Sequence, residues 1–562
     1  MGDRRALARQ TSQRQIQVSR RELIGGATVL SLGGALAVSA KPVTLRAAAA
    51  QTDPATFVIA DNMSTGGLWL TLDPGHFYEI NPSAAMNLIY EPLYHLPDSS
   101  EPDQFEPLLA DGMPELSADG RQATIRLKPN VTFQTSGNPM TAQDWVFSWT
   151  RVKNLKGNPS YLAEYWEGVE AVDDLTLRLT LAEPNPALTA ILTSLPLSVV
   201  DSASVRENGG TDAPDADQTD TAREYINENS VGTGPFIVAQ WDVNSEVILE
   251  RNPNYWGEAP QIERFIWRNI VDANSQLQAV QAGEADIAFS LDPDAVEQIR
   301  TDQNLQLLTG ESISLEYLAL HTQEQPGGPL ANPQVRQAIA HAIDYDGIIN
   351  GLLGGAGVRP ATVVPLPMPG TEAVRESAYQ TDTARAQELF DASGVGQIEI
   401  TLTYGGGDQA QGGIDVETLA TKIQSDIQRI NGLTIRLNPV DPNQWIEDYR
   451  ASTLQFTVAP WGPDFPHILS YVEPFGASTG VVAERVGFTD PQIDDLLAQV
   501  AAEQDPAQQE QLYEQVQRQL VELVPFIMLY QPTFQRPASR AVQSVTVHSL
   551  YGIQLRYASK SA

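Results

Sequence analysis

The sequence predicts a large α/β protein, and three observations indicate this fold class. The segments RQATIRLKPNVTF and DDLTLRLTLAE alternate apolar and polar residues, the period of two that is typical of half-buried strands. The segment ANPQVRQAIAHAIDYDGIINGLL starts with an Asn-Pro pair, a common helix start, and then repeats apolar residues at helical spacing. The length of 562 residues exceeds one domain and favours roughly three to four domain-sized units.

The first half of the chain is predicted to be rich in strands. A short apolar strand, TFVIAD, opens it, and a second strand is expected in LWLTLDP before a helix near residues 84–90. Within the strand-rich stretch, TAQDWVFSWTRV is predicted to be a helix with Trp145, Phe147 and Trp149 in the core. Residues 207–222 are polar, acidic and rich in turn residues, which predicts a surface insertion or a mobile loop.

The later elements alternate strands with helices and become more helical toward the end. GTGPFIVAQWDVNSEVILERNPNYWG predicts two strands around a turn, and ANSQLQAVQAGEADIAFSL predicts a helix followed by a buried strand. Asn332 is the expected N-cap of the helix that starts at Pro333, and Asp490 and Asp505 also precede prolines that start helices. The segment VPFIMLYQP is predicted to return to a strand.

Composition excludes several functional classes. The formal charge of −35 argues against binding to nucleic acid, which needs basic patches, and disfavours anionic lipid surfaces. The chain has no Cys, so disulfides, Cys nucleophiles, Cys-ligated zinc and iron–sulfur clusters are excluded. A lipoprotein anchor, which needs a Cys after the signal segment, is excluded for the same reason.

The N-terminal residues 1–50 read as an export signal. Several arginines precede a weakly apolar run rich in Gly and Ala at residues 23–40, and small residues follow it. The junction SRRELI at residues 19–24 resembles the twin-arginine export motif. Cleavage is expected after Ala40 or after Ala50, and a retained membrane helix is the alternative. The mature protein is therefore expected to be soluble and periplasmic or extracellular.

A catalytic function has one short motif in its favour. The segment GASTG at residues 476–480 matches the G-x-S-x-G nucleophile elbow, with Ser478 as nucleophile and His548 later in the chain. Pro474 interrupts the approach to this motif, and the sequence offers no His-Gly-Gly oxyanion loop. A secreted serine hydrolase therefore remains only as an alternative.

Metal and cofactor sites have little support in the sequence. The six histidines are scattered without an i,i+4 pair, so a dedicated metal site is not expected. His76 and His467 could still meet in a cleft, which keeps the binding of a metal complex open. The glycine-rich GLLGGAG follows a helix, whereas a phosphate-binding loop leads from a strand into one. No cofactor is predicted.

The landmarks of the chain follow an order that resembles one protein family. They are, in sequence, LDP with IYEPLY, then FEPLLADGMPELSADGRQATIRLKPNVTF, GTGPF with LERNPNYWG, QAGEADIAF, NPQVRQAIAHAID and LVELVPFIMLYQP. This order resembles the extracellular solute-binding proteins of family 5, the peptide- and nickel-type binding subunits of ABC importers. The resemblance covers nearly all of residues 57–535.

The resemblance implies a two-lobed periplasmic-binding-protein type II fold with an additional third domain. Each lobe has its own mixed α/β sheet, the lobes are joined by a two-segment hinge, and ligand is enclosed between them. The implied first lobe combines residues 57–95, 225–315 and 521–562. The implied extra domain takes residues 96–224, and the second lobe takes residues 316–520.

One carboxylate in FTVAPWGPDFPHI has no obvious partner. Asp464 has no Lys or Arg within ten residues on either side, and a buried, unpaired charge is costly. In peptide-binding members of the family, an aspartate after a Trp-containing loop pairs with the α-amino group of the peptide. The W-G-P-D match makes Asp464 the implied partner of a ligand cation, with Gly462 in the same motif.

The resemblance implies further ligand contacts. Val458 and Ala459 would offer backbone groups to an extended ligand. From the first lobe, the candidates are Tyr78, Ile80 and Asn81, and stacking on a sugar ring is possible for Trp461, Phe465 and Tyr471. Two departures weigh against peptide recognition through the backbone. Pro82 lacks an N–H donor, and DFPHI replaces the acidic-Pro continuation usual after this aspartate.

The expected function is that of a non-catalytic binding protein outside the cytoplasm. It would capture an oligopeptide as a monomer and deliver it to an ABC permease and ATPase complex at the membrane. The alternatives are the same scaffold binding an oligosaccharide or a metal chelate, and the serine hydrolase using Ser478.

Overall fold

The computed structural model describes residues 55–63, 69–78, 82–97, 104–407 and 410–561. The predicted export signal and two predicted ligand contacts, Ile80 and Asn81, lie outside the described residues. Within these ranges, no helix is both long enough and apolar enough to span a membrane.

Twenty strands form in the described part of the chain. They are β1 (Thr56–Asp61), β2 (Tyr94–His95), β3 (Glu106–Pro107), β4 (Glu115–Leu116), β5 (Gln122–Arg126), β6 (Gly168–Asp173), β7 (Thr176–Thr180), β8 (Phe236–Trp241), β9 (Glu246–Arg251), β10 (Arg264–Asn269), β11 (Ile287–Ala288), β12 (Leu305–Glu311), β13 (Leu315–Leu320), β14 (Gly357–Val358), β15 (Ile398–Gly405), β16 (Leu433–Val440), β17 (Phe456–Trp461), β18 (Phe526–Ser539), β19 (Val542–Gln543) and β20 (Ser559–Lys560).

Seventeen α-helices accompany these strands in the same residue ranges. They are α1 (Ser83–Ile89), α2 (Ala142–Leu155), α3 (Leu188–Ile191), α4 (Ser202–Glu207), α5 (Ala216–Thr219), α6 (Arg223–Glu228), α7 (Ala273–Gln281), α8 (Val296–Thr301), α9 (Glu324–Gly327), α10 (Pro333–Ala342), α11 (Thr383–Ala392), α12 (Val416–Ile427), α13 (Pro442–Arg450), α14 (Leu469–Gly476), α15 (Val481–Arg485), α16 (Pro491–Ala502) and α17 (Pro506–Leu523). Short 3₁₀ helices occupy Asn158–Glu164, Leu195–Leu197, Pro293–Ala295, Gly328–Ala331 and Glu372–Ser377, and a π-helical segment occupies Gly347–Leu352.

The three predicted helix starts are confirmed. The side chain of Asn332 accepts a hydrogen bond from the backbone of Gln334, and Pro333 is the first residue of α10. Asp490 and Asp505 cap α16 and α17 in the same way, each followed by proline. In all three cases an acceptor side chain satisfies an N–H that has no partner within the helix, and proline occupies a position that needs no N–H.

The large sheet has two halves that share one long strand. Its path runs β16-β15-β17-β13-β18-β11-β1-β10-β9-β8, and β12 and β14 also pair with β18. The first residues of β18, Phe526–Tyr530, pair with β13, whereas Thr533–Ser539 pair with β12. Since β12 leads directly into β13, there are two antiparallel segments that run from one half of the sheet to the other. One is β12 followed by β13, and the other is β18. The fold is therefore two-lobed and α/β.

Parallel strands in each half direct their carboxyl ends to one edge. In the first half, β1 is parallel to both β10 and β11. In the second half, β15 is parallel to both β16 and β17. The loops that follow parallel strands gather at the carboxyl edge, where ligands of open α/β sheets bind. This topology places the loop after β17, which contains Asp464, at such an edge.

A separate antiparallel sheet, ordered β4-β5-β7-β6, carries its own core. The alternation predicted for its strands is confirmed, because Ala123, Ile125, Leu177 and Leu179 are all fully buried. The three predicted core aromatics of α2 are buried as well: Trp145 and Trp149 in the core of this sheet, and Phe147 in the core of the first half of the large sheet. Burial of each large apolar side chain contributes about 1.5–3 kcal/mol.

One prediction for the first half of the chain is wrong: residues 69–78, which include most of the segment read as a strand, form no strand, and Asp73 is buried in an ion pair. Residues 207–222 lie mostly at the surface, as predicted, but they include the end of α4 and all of α5, and the side chain of Asp220 is buried. Both carboxylates contact Arg151, whose guanidinium lies 2.7 Å from Asp73 Oδ2 and 2.7 Å from Asp220 Oδ2. A partner that is distant in sequence thus holds both carboxylates in the interior.

Another buried carboxylate, that of Glu91, explains why several landmark motifs occur together. Glu91 of the IYEPLY motif is fully buried. It accepts hydrogen bonds from Thr233 Oγ1 at 2.8 Å, Tyr255 Oη at 2.7 Å and Trp256 Nε1 at 2.9 Å, which belong to the GTGPF and NPNYWG motifs. Arg556 Nη1 completes the group with a 2.8 Å ion pair. A buried charge is tolerated where it is paired and hydrogen-bonded in this way.

Glu316 is a buried carboxyl group on β13, close to the crossing between the two halves. Its side chain is 1% exposed and accepts a hydrogen bond from the Gln411 backbone N–H at 3.0 Å. Burial raises the pKa of Glu316 to about 8, and this hydrogen bond opposes the rise. Tyr530 Oη donates to the Gln411 carbonyl at 2.7 Å, so the loop is tied to both crossing strands.

Substitution of Glu316 with Gln is expected to change how stability depends on pH. Between an unfolded pKa near 4.5 and a folded pKa of about 8, only the folded state keeps the proton, so the wild-type protein loses stability as the pH rises through this window. Glu316→Gln removes that loss, so above pH 8 its free energy of unfolding should exceed that of wild type by as much as about 4 kcal/mol. Urea denaturation at several pH values measures the free energy of unfolding, with the exposed Glu311→Gln as matched control. If the free energy of unfolding has the same slope against pH in wild type and in Glu316→Gln, the prediction is contradicted.

Candidate functional site

The candidate site is built on the loop that follows β17. Gly462 and Pro463 follow the last residue of β17, Trp461, and end the strand ladder, so the chain leaves the sheet directly before Asp464. The backbone of this loop is anchored on both sides: the Asp464 N–H donates to Ser470 Oγ at 3.3 Å, and Ser194 Oγ donates to the Asp464 carbonyl at 3.2 Å. The carboxylate is thus held in a fixed place by two other parts of the chain.

Asp464 lines a cavity of about 210 Å³. Walls come from five separate segments of the chain, which contribute Phe77, Tyr78, Ser83, Leu162, Ser194, Leu195, Pro196, Gly462, Pro463, Leu550 and Tyr551. The cavity therefore lies where the first half-sheet region, the four-stranded domain and the second half-sheet region meet. It combines a mostly apolar lining with few polar groups, as small-molecule sites do.

The charge of Asp464 is not balanced by a cation. Among the described residues, no Lys, Arg or His side chain forms an ion pair with this carboxylate. Burial raises its pKa, whereas the nearby hydroxyls of Tyr161 and Tyr78 act in the opposite direction. Burial and the Asp464 carboxylate in turn raise the pKa of both phenols, so both remain neutral O–H donors. The Tyr161 hydroxyl is buried without a hydrogen-bond partner of standard geometry in the described residues.

The three aromatic residues predicted near Asp464 are engaged in packing. Trp461 is half-buried, donates from Nε1 to the Ser470 carbonyl at 3.2 Å and packs edge-on against Phe475. Phe465 is 2% exposed and lies edge-on to Tyr165, with the ring centroids 5.9 Å apart. Tyr471 is fully buried and donates to the Ile313 carbonyl at 2.6 Å. Among the ligand contacts predicted in the loop after β17, Gly462 and Asp464 line the cavity.

Val458 and Ala459 are buried residues of β17. They lie opposite Leu318 and Tyr317 in the antiparallel pairing with β13. Tyr78 is 41% exposed and lines the cavity.

The serine of the candidate elbow lies in a turn between two helices. Ser478 is between α14 and α15, whereas a nucleophile elbow leads from a strand into a helix. Its backbone N–H donates to Asp494 Oδ1 at 2.8 Å. His548 is 1% exposed, bonds through Nε2 to the Leu96 carbonyl at 2.9 Å and through Nδ1 to backbone N–H groups. Both ring nitrogens of His548 are therefore occupied by the backbone.

The two histidines that could have shared a metal have different surroundings. His76 lies near Asp73 and Arg151, and burial lowers its pKa. His467 packs against Tyr513, and burial lowers its pKa to about 4. Throughout the described ranges, no three or more His, Asp or Glu side chains are grouped so that they could hold a metal ion.

Two residues around Asp464 have no signal in the local sequence: Tyr161, whose hydroxyl lies near the carboxylate, and Tyr551, which lines the cavity. Tyr161 comes from the short helix Asn158–Glu164 in the four-stranded domain, and Tyr551 comes from the C-terminal segment. Their positions beside Asp464 depend on contacts across some 300 and 90 positions of chain, respectively, which neither periodicity nor composition can report.

The fold and the site define a class of protein. Two α/β halves joined by a pair of crossing strands, with a partly buried and unpaired charge in a cavity between segments, are features of a two-lobed solute-binding protein. The chain belongs to the bacterial extracellular solute-binding proteins, family 5, because the sequence model of the middle region of that family matches residues 104–482.

Known relatives agree with this assignment over most of the chain. The dipeptide-binding protein DppE of Bacillus subtilis is 24% identical over 506 residues, which cover 85% of this chain and 87% of DppE. The glutathione-binding protein GsiB of Pectobacterium atrosepticum is 24% identical over 478 residues, covering 83% and 87%. The structure of the periplasmic binding protein DppA from Helicobacter pylori, in complex with the peptide STSA, covers 89% of this chain and 98% of its own, with a TM-score of 0.70 and 21% identity.

Proposed function

We propose that this protein captures an oligopeptide between its two lobes outside the cytoplasm and delivers it, as a monomer, to an ABC permease and ATPase complex. One observation carries the proposal: the carboxylate of Asp464 lines a cavity without a cation from the described chain. The α-amino group of a peptide would supply that positive charge.

The energetics favour a ligand that brings its own cation. A pair of unit charges in contact contributes about 4 kcal/mol at an effective dielectric of 20, before desolvation is subtracted. Asp464 already bears the cost of burial within the protein itself, as the direction of its pKa shows. Part of the desolvation is therefore complete before the ligand arrives.

The names of the relatives support a peptide as the ligand class. DppE is named for dipeptides and GsiB for glutathione, and the DppA structure contains the peptide STSA. The aromatic side chains that could have stacked on a sugar are used instead in packing at Trp461, Phe465 and Tyr471. The elbow geometry that the hydrolase alternative needs is not formed at Ser478.

A ligand screen tests the proposed function. A mixture of random-sequence tripeptides with free ends is expected to raise the melting temperature, because a ligand that binds only the folded state stabilises it by mass action. The same mixture with N-acetylated ends should produce a much smaller shift. Native mass spectrometry of the freshly purified protein should show a bound mass in the peptide range. A shift with oligosaccharides or nickel chelates, and none with peptides, would overturn the proposal.

We also propose the domain boundaries that the family resemblance implies. The first lobe would comprise residues 57–95, 225–315 and 521–562, and the second lobe residues 316–520. The extra domain would comprise residues 96–224, which include the four-stranded sheet. The two lobes would then close on the ligand by bending of the crossing strands.

For localisation, we propose export through the twin-arginine route, without a lipid anchor because the chain has no Cys. Conservative replacement of both Arg20 and Arg21 with Lys is expected to abolish export, since charge is kept but the arginine pair is lost. Immunodetection in cytoplasmic and exported fractions measures the outcome. Replacement of Arg4 and Arg5 with Lys is the matched control, and normal export of the Arg20/Arg21 variant would contradict the assignment.

A further inference from the structure

Phe465 follows Asp464 in the loop after β17, yet its side chain packs in the four-stranded domain. It is 2% exposed and lies in the buried core of that domain. Its ring is edge-on to that of Tyr165, with the centroids 5.9 Å apart. Ala459 before it and Ile468 after it lie instead in the core of the second half of the large sheet. The second half therefore enters the four-stranded domain at Phe465.

The four-stranded domain is fastened to the first half of the large sheet. The chain reaches this domain from α1 and leaves it toward β8, and both elements pack in the core of the first half. Gln134 Nε2 donates to the Gly234 and Phe236 carbonyls at 2.7 and 2.6 Å, and Arg151 forms its buried ion pair with Asp73. Breaking buried polar contacts of this kind is costly. We therefore expect the four-stranded domain to move with the first half.

Charge does not hold the domain and the second half together. A groove of about 510 Å³, which includes Tyr165, opens beside the Phe465 contact. Glu183 of the domain and Glu473 and Asp494 of the second half line this groove, and its described lining includes no Lys, Arg or His. Desolvation, and after it the Glu183 carboxylate, raise the pKa of Glu473. Since like charges repel, the attraction at this junction comes mainly from the burial of apolar side chains such as Phe465.

The buried ring and the candidate binding carboxylate belong to adjacent residues. Ser194 Oγ donates to the Asp464 carbonyl at 3.2 Å, so the peptide group that joins Asp464 to Phe465 is also held by the four-stranded domain. Phe465 is not among the described residues that line the cavity at Asp464. A movement of this loop away from the domain would withdraw the Phe465 ring and displace Asp464 together.

We propose that the four-stranded domain is a latch for the closed form of this protein: Phe465 enters the core of the domain when the lobes close over a ligand and leaves it when they separate. This inference rests on the proposed function and names a device that regulates the same site. Because the domain moves with the first half, bending of the crossing strands separates Phe465 from Tyr165. Closure gains the burial of a phenyl ring in addition to the ligand contacts, and the closed fraction of the protein sets its apparent affinity.

Phe465→Ala is expected to weaken the binding of the free tripeptide mixture about 10- to 100-fold, the factor that corresponds to one buried phenyl ring. Isothermal titration calorimetry measures this loss. Phe465→Leu keeps an apolar side chain and should bind with an affinity between those of wild type and Phe465→Ala. Phe390→Ala is the control for the loss of a buried ring, since Phe390 lies in the core of the second half. It should lower the melting temperature and keep wild-type affinity.

A thiol at position 465 reports the movement itself. The chain has no Cys, so Phe465→Cys carries a single thiol. Its reaction with Ellman's reagent should be at least about 10-fold slower with saturating tripeptides than without them, because closure buries the thiol in the domain. Ala203→Cys, at an exposed position of α4, is the control and should react equally fast in both states.

The outcomes separate the latch from the proposed function. If tripeptides bind and the thiol at position 465 is equally protected with and without them, the latch is overturned, since Phe465 then stays in the domain in both states. Wild-type affinity of Phe465→Ala, or an equal loss of affinity in Phe390→Ala, would also overturn it and leave peptide binding intact. Failure of the tripeptides to raise the melting temperature of wild type would overturn the proposed function, and this inference with it.

Discussion

Asp464→Asn is expected to weaken the binding of tripeptides with a free amino end about 100-fold or more, while the protein stays folded. The substitution keeps the size of the side chain but removes the charge that pairs with the ligand cation, and truncating a desolvated charge pair costs about 2–5 kcal/mol. The variant should be at least as stable as wild type at neutral pH, because burial raises the pKa of Asp464 and its ionised form therefore disfavours the folded state. Isothermal titration calorimetry measures the affinity and calorimetric melting measures stability.

Acidification should imitate the substitution in the wild-type protein. Protonation of Asp464 removes the charge, so peptide affinity is expected to fall as the pH drops through the raised pKa of this group. The Asn variant should lack that dependence. Asp495→Asn, an exposed acid on α16, is the control and should bind as wild type does. If Asp464→Asn keeps wild-type affinity, Asp464 serves only to shape its loop.

Arg151→Met is expected to destabilise the protein by about 3–5 kcal/mol, the usual cost of breaking a buried ion pair by removing one partner. Arg151 is 2% exposed, and its guanidinium contacts both Asp73 and Asp220. Without Arg151, the buried carboxylates of Asp73 and Asp220 would repel each other and have no cation to pair with. The difference in stability between wild type and Arg151→Met should become smaller at acid pH. Arg151 holds the pKa of Asp73 below its usual value, so wild type loses that stabilisation as the pH falls, whereas the variant gains when its unpaired carboxylates take up protons.

Urea denaturation at pH 7 and at about pH 3 measures this prediction, because the stabilisation through Asp73 is lost only below the ordinary Asp pKa of 3.8. Arg178→Met is the control, because its pair with Glu170 is solvent-exposed and should contribute less than about 1 kcal/mol. Adding Asp73→Asn and Asp220→Asn to Arg151→Met should restore part of the lost stability. A loss for Arg151→Met no larger than that for Arg178→Met would show that the buried group contributes little.

The sequence predicts the elements of this fold better than their partners. Helix starts at Asn332 and Asp490 depend on two or three adjacent residues, so local chemistry suffices to locate them. The order of the landmark motifs identifies the family. The structure gives a physical reason for their occurring together, since three of those motifs supply or contact Glu91. Asp464 stands out for a local reason as well, because its surroundings in the chain contain no cation.

The positions that sequence reasoning misplaced or missed depend on distant contacts. Asp220 lies in a stretch that is locally acidic and turn-rich, yet Arg151, 69 positions away, draws its side chain inward. The aromatic character of Tyr471 is equally suited to a ligand surface and to a core, and sequence cannot separate the two. Tyr161 lies near Asp464, and Arg536 lines a second cavity, only in the assembled fold, so no pattern near either residue indicates its position.

The long strand β18 makes the folding of each lobe dependent on the other. It is one continuous strand that pairs with β13 through Phe526–Tyr530 and with β12 through Thr533–Ser539. Melting of either half would leave the other with a bare strand edge and unpaired backbone groups. The unit of folding cooperativity is therefore the whole two-lobed body, although the same strand must bend each time the lobes move.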